Sequence, residues 1–573
     1  MNIKILHTLY FLPLLLFPLF IQAQNTTYTY DQLISEYSDL ARAHSDVHLF
    51  NMGSSDYGKP IYLCVIGVAA DSQMVFSYAK NSTVFLINTA IHAGEPCGVN
   101  ASLDFVKQYV QLSENEKMNY PVMAFIPAYN VGGMHNRNSY SRANQVGPDE
   151  YGFRGNARNF DLNRDFVKMD SKNMQRFARI FNALDPDVFL DTHTSNGADY
   201  QYTLTLISSL KARLNPVQAS LVYDEMLPTL KDSLWAKDSL YLFPYIEMNG
   251  QRLHEGIHAF NDKGRYSMGY ARLFHALSFT SETHMLKPFH ARVEATYKLI
   301  NEMAKYTRKF DDEIERVKSI TRNEMLQSRY HRFNYISDTT LNNDSYIDLK
   351  GYAYKDSLSL VTNSPRLYYD RSKDTTFNIP YDFYFKAKDS LLIPEYYVVR
   401  SWETEVIQRL LMNNVSVQFL DKDTNLLVRQ NKVLNYETVN TPYEGHYLHY
   451  NTKVQEAIEN IKLHKGDALV YTHQVSRLFI VETLEPKCAD SYFNWGFFDS
   501  YLQQKEHFSP YVFEDIAMEL LANDDDLKRE FEVKKEQDAD FSANRWAQLN
   551  FIYMNSPFYE RSHKVLPVYK SLR

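Results

Sequence analysis

The sequence predicts an α/β protein: a mixed, mostly parallel twisted sheet flanked by helices, followed by a β-rich and then a helical C-terminal region. Two observations lead there. Up to about residue 308, short apolar runs rich in Val, Ile, Leu and Phe alternate with amphipathic stretches, the pattern of strands crossed by helices. Beyond it the texture shifts to Tyr-, Val- and Leu-rich runs separated by Asp, Asn and Ser, and then to charged helical periodicity. At 573 residues the chain holds two or three domains of ordinary size.

In chain order, residues 1–23 read as a signal peptide: Lys4 precedes the apolar run Leu9–Ile21, and Gln22-Ala23 leads into polar sequence. The apolar core is short and interrupted by Pro13 and Pro18, so a spanning anchor is not expected. The mature chain is expected to be exported, periplasmic or secreted, with no stable membrane insertion after cleavage. Residues 24–312 form the first domain. In it Tyr30–Ala43 has helical periodicity, residues 53–69 read as a turn feeding a strand, and Thr83–Thr89 as a strand. A helix follows, with Val99, Leu103, Val106 and Val110 on one face. Further strands are expected at Met123–Tyr129, Asp187–Asp191, Tyr202–Ser208 and Ala276–Thr280, with a helix between Met174 and Leu184. Residues 130–164, rich in Gly, Asn and Arg, have no periodicity; long loops of that kind are commonly functional. Residues 313–573 form the C-terminal region, opening on a charged helical stretch to Leu326, β-rich over about 346–480 and helical over about 497–573.

Composition narrows the function. With 61 Lys+Arg against 69 Asp+Glu the formal net charge is -8, so no general basic field exists to hold nucleic acid. The 3 cysteines cannot form a fully paired disulfide framework. Stability must come from packed cores.

Chemistry concentrates in four places. His92-Ala93-Gly94-Glu95-Pro96 directly follows a strand and precedes a helix, so imidazole and carboxylate can reach one ion. His193 stands at the end of the strand in PDVFLDTHTSN, where open α/β sheets place ligands. Arg158–Asp165 is a tight polar run, and SFTSETH puts Glu282 just beyond another strand. A catalytic zinc takes three protein ligands and keeps one position open.

The order HxxE, DLNR, strand-end His and FxxE resembles the zinc carboxypeptidases of the pancreatic type, over about residues 29–310. GSSDYGKPIYLCVIG is similar to that family's leading strand. The resemblance implies a zinc carboxypeptidase-like fold and one Zn2+ per chain held by His92, Glu95 and His193. It also implies that Asn163 and Arg164 bind the terminal carboxylate of a peptide or protein substrate, and that Glu282 is the general base. An arginine beside the oxyanion is expected from Arg137, Arg142, Arg154 or Arg158, with Arg142 favoured by its place between the NVGG turn and the Asn-Arg pair. Tyr266 and Tyr270 both stand where a substrate-capping tyrosine is sought, and Tyr270 is taken. The chain departs from the family in NVGG for NPDG and in Asp165 for Asn.

His254-Glu255-Gly256-Ile257-His258 matches HExxH, but its glycines oppose the helix that this motif requires. The expected function is an exported zinc metallocarboxypeptidase. The alternatives are a zinc amidase or endopeptidase acting on cell-wall peptides or acylated amino acids, and an inactive peptide- or glycan-binding protein.

Overall fold

The computed structural model describes residues 25–572 except residue 70, so the signal-peptide reading of residues 1–23 lies outside the described residues. The chain forms two compact units. The first runs to Leu391 and takes in Met412–Asn414 and Val475–Phe479; the second comprises Leu392–Leu411, Val415–Gln474 and Ile480–Arg573.

In the first unit, helix α1 (Tyr30–Ala43) starts on a capping box in which Thr29 and Gln32 satisfy each other's backbone donors. The strands that follow are β1 (Val47–Ser54), β2 (Pro60–Ile66), β3 (Val84–Asn88), β4 (Val122–Ile126), β5 (Val188–Ser195), β6 (Leu204–Ser208) and β7 (Leu242–Pro244). Two short strands, β8 (Glu247–Met248) and β9 (Ile257–His258), precede β10 (Leu277–His284). Eight of these make one mixed sheet in the order β1-β2-β4-β3-β5-β10-β6-β7. Its centre, β4-β3-β5-β10, is parallel, while β1, β2 and β6 run antiparallel to their inner neighbours. The central strands are buried on both faces, which is why they read as unbroken apolar runs.

Helices α2 (Cys97–Tyr109), α3 (Lys172–Leu184), α4 (Leu227–Asp238), α5 (Ser267–Leu273) and α6 (Phe289–Lys309) accompany the sheet. The first of them begins at the metal loop, and Gly98 is what lets it do so: a Cβ there would lie 2.0 Å from Thr192 Oγ1 on β5. Residues 130–164 are irregular as expected, apart from a short helix at Val131–His135 and a 3-10 turn at Leu162–Arg164.

Beyond helix α7 (Asp311–Gln327), the first unit adds β11 (Tyr330–Ser337), β12 (Tyr346–Leu358), β13 (Pro365–Asp382) and β14 (Phe385–Leu392). The hairpin β12/β13 joins β9 and β8 in a four-stranded sheet over a core of Tyr200, Tyr202, Phe243, Leu253, Leu349 and Ile379.

The second unit carries β15 (Tyr396–Val399), β16 (Gln418–Phe419), β17 (Thr424–Thr438), β18 (His449–Leu463), β19 (Ala468–Tyr471) and β20 (Val565–Lys570). They form an antiparallel sheet in the order β16-β19-β15-β20-β17-β18. Helices Pro510–Asn523, Asp525–Gln537 and Arg545–Met554 pack on Phe513, Phe531 and Phe541. The chain therefore does not stay helical to its end, because its last strand returns to the interior of this sheet. Among the described residues no helix is long and apolar enough to cross a membrane.

Candidate metal centre and active site

The site forms where β3, β5 and β10 end side by side. After β3 the chain turns sharply: Ala90 takes the left-handed conformation (φ 56°), and Glu95 N–H donates to His92 O at 2.9 Å. The Asn130 side chain braces this loop by donating to Ile91 O and Arg154 O and accepting from Gly133 N–H. On β5, His193 lies inside the strand, paired in register with Glu282 on β10. Glu282 also lies within its strand, two residues before its end, because β10 continues to His284.

The side chains of His92, Glu95 and His193 are buried, and their ligand atoms all lie within 4.8 Å of one another. His92 Nδ1 is 3.3 Å from Glu95 Oε1, and His193 Nδ1 is 3.2 Å from Glu95 Oε2. Each imidazole has a carboxylate behind it: His92 Nε2 is 2.9 Å from Asp161 Oδ1, and His193 Nε2 is 3.1 Å from Asp191 Oδ2. A carboxylate on the rear nitrogen fixes ring orientation and strengthens the front nitrogen as a ligand. Three polar atoms in this group are buried without a hydrogen-bond partner, His92 Nδ1, His193 Nε2 and Glu282 Oε2. An orphaned nitrogen facing a carboxylate and a second imidazole fits a zinc ligand set.

The electrostatics follow from crowding. Although burial opposes it, His92 and Arg142 hold the Glu95 carboxyl well below its usual range. Burial likewise opposes ionisation of Asp161, yet His92, Arg154 and Arg164 hold it low. The His193 imidazole is held well above its usual range by Asp191, Glu95 and Glu282 against the pull of burial. Burial, with Glu95 adding to it, pushes the Glu282 carboxyl up against the pull of His193, Arg154 and Arg142.

A cleft of about 450 Å³ opens over these residues and is also lined by Arg142, Arg154, Asn163, Arg164, Tyr245 and Tyr266. Arg142 donates to Glu95 Oε1 at 2.9 Å and to Thr194 O at 3.0 Å. Arg154 bridges Asp161 Oδ2 at 3.0 Å and Glu95 Oε1 at 3.5 Å, with nearly half of its side chain open to the cleft. Of the four arginines considered for the oxyanion, these two line the cleft. Arg137 is spent on the carbonyls of Thr27, Tyr28 and Glu150, and Arg158 on that of Asp170. Asn163 is held by Ser267 N–H donating to its Oδ1 at 2.9 Å, and the Arg164 guanidinium stacks 4.7 Å over the Tyr266 ring.

Tyr270 is a correction. It is fully buried on α5 among Phe166, Phe177, Phe181 and Phe274, and its hydroxyl donates to Asn413 at 2.7 Å. Tyr266 is the N-cap of α5, with extended backbone outside the helix, whereas Tyr270 lies within the helix on its core side. The tyrosines at the cleft are Tyr266 and Tyr245. Tyr245 was not singled out in the sequence, because LFPYIEM carries no motif.

The HExxH segment makes no helix. Leu253–Glu255 is a 3-10 turn, Gly256 has φ +91°, and the two imidazoles part, His254 bonding Tyr354 and His258 bonding Asn249. Cys97 is buried against Thr194 and Thr283.

Residues 33–196 match the family model described as zinc carboxypeptidase. No curated protein matches the chain significantly. Among solved structures, the metallo-carboxypeptidase of Burkholderia cenocepacia is similar at 14% identity and a TM-score of 0.37, over 51% of this chain and 71% of that one. Carboxypeptidase A of Helicoverpa armigera is similar at 14% identity and a TM-score of 0.38, over 52% of this chain and 75% of that one. A metallo-carboxypeptidase from Pseudomonas aeruginosa, solved with (2-guanidinoethylmercapto)succinic acid, gives 14% identity and a TM-score of 0.38 over 51% and 71%.

Proposed function

We propose that this chain, which carries a zinc carboxypeptidase domain at residues 33–196, is an exported zinc metallocarboxypeptidase that removes residues from the C-terminus of peptides. One observation carries the reading. The buried trio His92, Glu95 and His193 shares a single cleft with a guanidinium-amide pair, Arg164 and Asn163, and with the orphaned carboxylate of Glu282. Export is supported by the leader-like residues 1–23.

His92, Glu95 and His193 would hold one zinc, which when bound supplies Lewis acidity to a scissile carbonyl and to a water molecule. The protein's own groups do the rest. Arg164 grips the substrate's terminal carboxylate with two parallel hydrogen bonds while Asn163 adds a donor, and the Tyr266 ring keeps the guanidinium in plane. Arg142 and Arg154 present positive charge where negative charge develops on the carbonyl oxygen. Glu282 takes the proton of the attacking water and passes it to the leaving amine, a role suited to a carboxyl whose proton affinity is raised. Asp161 and Asp191 keep the two imidazoles in their ligating orientation.

The test is steady-state kinetics on one peptide and its C-terminal amide, using zinc-loaded protein. Losing a charge-assisted bidentate contact should weaken binding by about 1.5–3 kcal/mol, or roughly 10- to 150-fold. Equal rates on acid and amide would remove the exopeptidase reading and leave a zinc amidase or endopeptidase.

A further inference from the structure

Beside the catalytic cleft lies a second cavity of about 600 Å³. The two share Ile207, Tyr245 and Phe260 as a common wall. On its inner side the second cavity is lined from β6 and β7, by Leu206 and Phe243 among others, and from α4 by Leu227. Its outer side is built by the hairpin β12/β13 and the residues just after it, through Ile347, Lys350, Tyr381 and Phe383. That hairpin is anchored in place. Tyr381 and Asp382 pair with Ile257 and His258, and Gln201 N–H donates to Lys350 O at 3.0 Å. All of the outer wall lies beyond the segment that matches the family.

The chemistry of the walls selects the ligand. Aromatic rings dominate, with Tyr202 and Phe243 stacked at 4.3 Å and Tyr223 edge-on to Phe383 at 5.3 Å. Several of the polar atoms around them are engaged with one another. Tyr223 O–H donates to Ser209 O, Tyr202 Oη accepts from Lys350 N–H, and Lys350 Nζ is 2.5 Å from Tyr241 Oη. The Asp348 carboxylate accepts from Asn378 at 2.8 Å. Ring faces of this kind suit an apolar side chain, which needs no polar partner of its own. The shared wall puts such a side chain on the molecule whose reacting bond lies in the cleft.

We propose that this cavity is a substrate subsite for a bulky apolar side chain, aromatic above all, of the peptide held in the catalytic cleft, with the hairpin 346–382 as its specificity wall. The assignment rests on the peptidase reading given above.

The test uses otherwise identical short peptides carrying Phe or Ala at each position flanking the cleaved bond. At one position wild type should prefer Phe by about tenfold or more in kcat/KM, the scale a shaped apolar pocket provides. Leu227→Trp, which fills the cavity from α4, and Phe383→Ala, which opens its outer wall, should each cut that preference to about threefold or less. Both variants should leave the Ala peptide within about twofold of wild type, since neither residue touches the metal or the carboxylate clamp. A preference unchanged in both variants, or no position favouring Phe, would overturn the proposal. Calorimetric binding of the same peptides to the Glu282→Gln protein reads the cavity without turnover. Tighter binding of the Phe peptide that Leu227→Trp abolishes, with no cleavage by wild type, would refute the peptidase reading and uphold the subsite.

Discussion

Glu95 is closely surrounded: two imidazoles, the Thr194 N–H and two guanidinium groups address its two oxygens. Removing either imidazole takes one of three ligands from the ion, so His92→Ala and His193→Ala are expected to lose bound zinc, measured by metal analysis of purified protein. His254→Ala should keep wild-type zinc, since its imidazole bonds Tyr354 instead. Glu282→Gln tests the base. It should keep zinc and lower kcat by roughly 10² or more, the usual scale of general acid–base catalysis. A near-normal kcat would take Glu282 out of the mechanism. Gly98→Ala is expected to lower the melting temperature, because its new Cβ would press on Thr192. Overpacking of that kind costs about 1–3 kcal/mol.

At the scale of elements, the turn that presents Asn163 and Arg164 is fastened from behind. Asp165 accepts from Lys168 Nζ and from the backbone N–H groups of Asp170 and Ser171, and Lys168 is itself fully buried. Asp165→Ala would remove one of the two carboxylates on that ammonium, leaving Asp170 at 2.9 Å, at a cost of about 1.5–3 kcal/mol. Denaturant unfolding should register it as a shifted midpoint. The two ends of β10 hold an acid sensitivity. Burial, with the Arg322 charge adding to it, keeps His275 down at about 3, and burial keeps His284 at about 4, both from 6.5. The unfolded chain takes up these protons near 6.5 while the folded chain does not. Stability is therefore complete above pH 6.5 and falls as the pH drops toward 4, by up to about 1.4 kcal/mol per pH unit for each group. His275→Asn suits the left-handed backbone there (φ 72°) and should flatten the dependence of melting temperature on pH. An unchanged slope would assign the acid loss to other groups.

Over the whole molecule, the division of labour can be probed by weakening one unit alone. Leu463 is fully buried with Val398, Val428, Leu469 and Tyr569 in the second unit. Leu463→Ala is expected to cost about 2–5 kcal/mol by opening a cavity. Calorimetry should show it, with zinc content unchanged.

The sequence by itself determined the α/β class, the central strands and the order of the chemical pieces, because each rests on local pattern. A strand buried on both faces must be continuously apolar, and α1 announces itself by periodicity. His92, Glu95, Asn163, Arg164, His193 and Glu282 stand in motifs short enough to be seen in one dimension. Only the tertiary structure decided which tyrosines and arginines reach the cleft. Tyr266 and Tyr270 lie four residues apart, yet the first stacks on Arg164 and the second packs against phenylalanines. Tyr245, Asp161, Asp191 and the hairpin wall at 346–382 acquire their roles from partners distant in sequence. Periodicity reports which face of an element is buried, and only the packing of other elements says what that face meets.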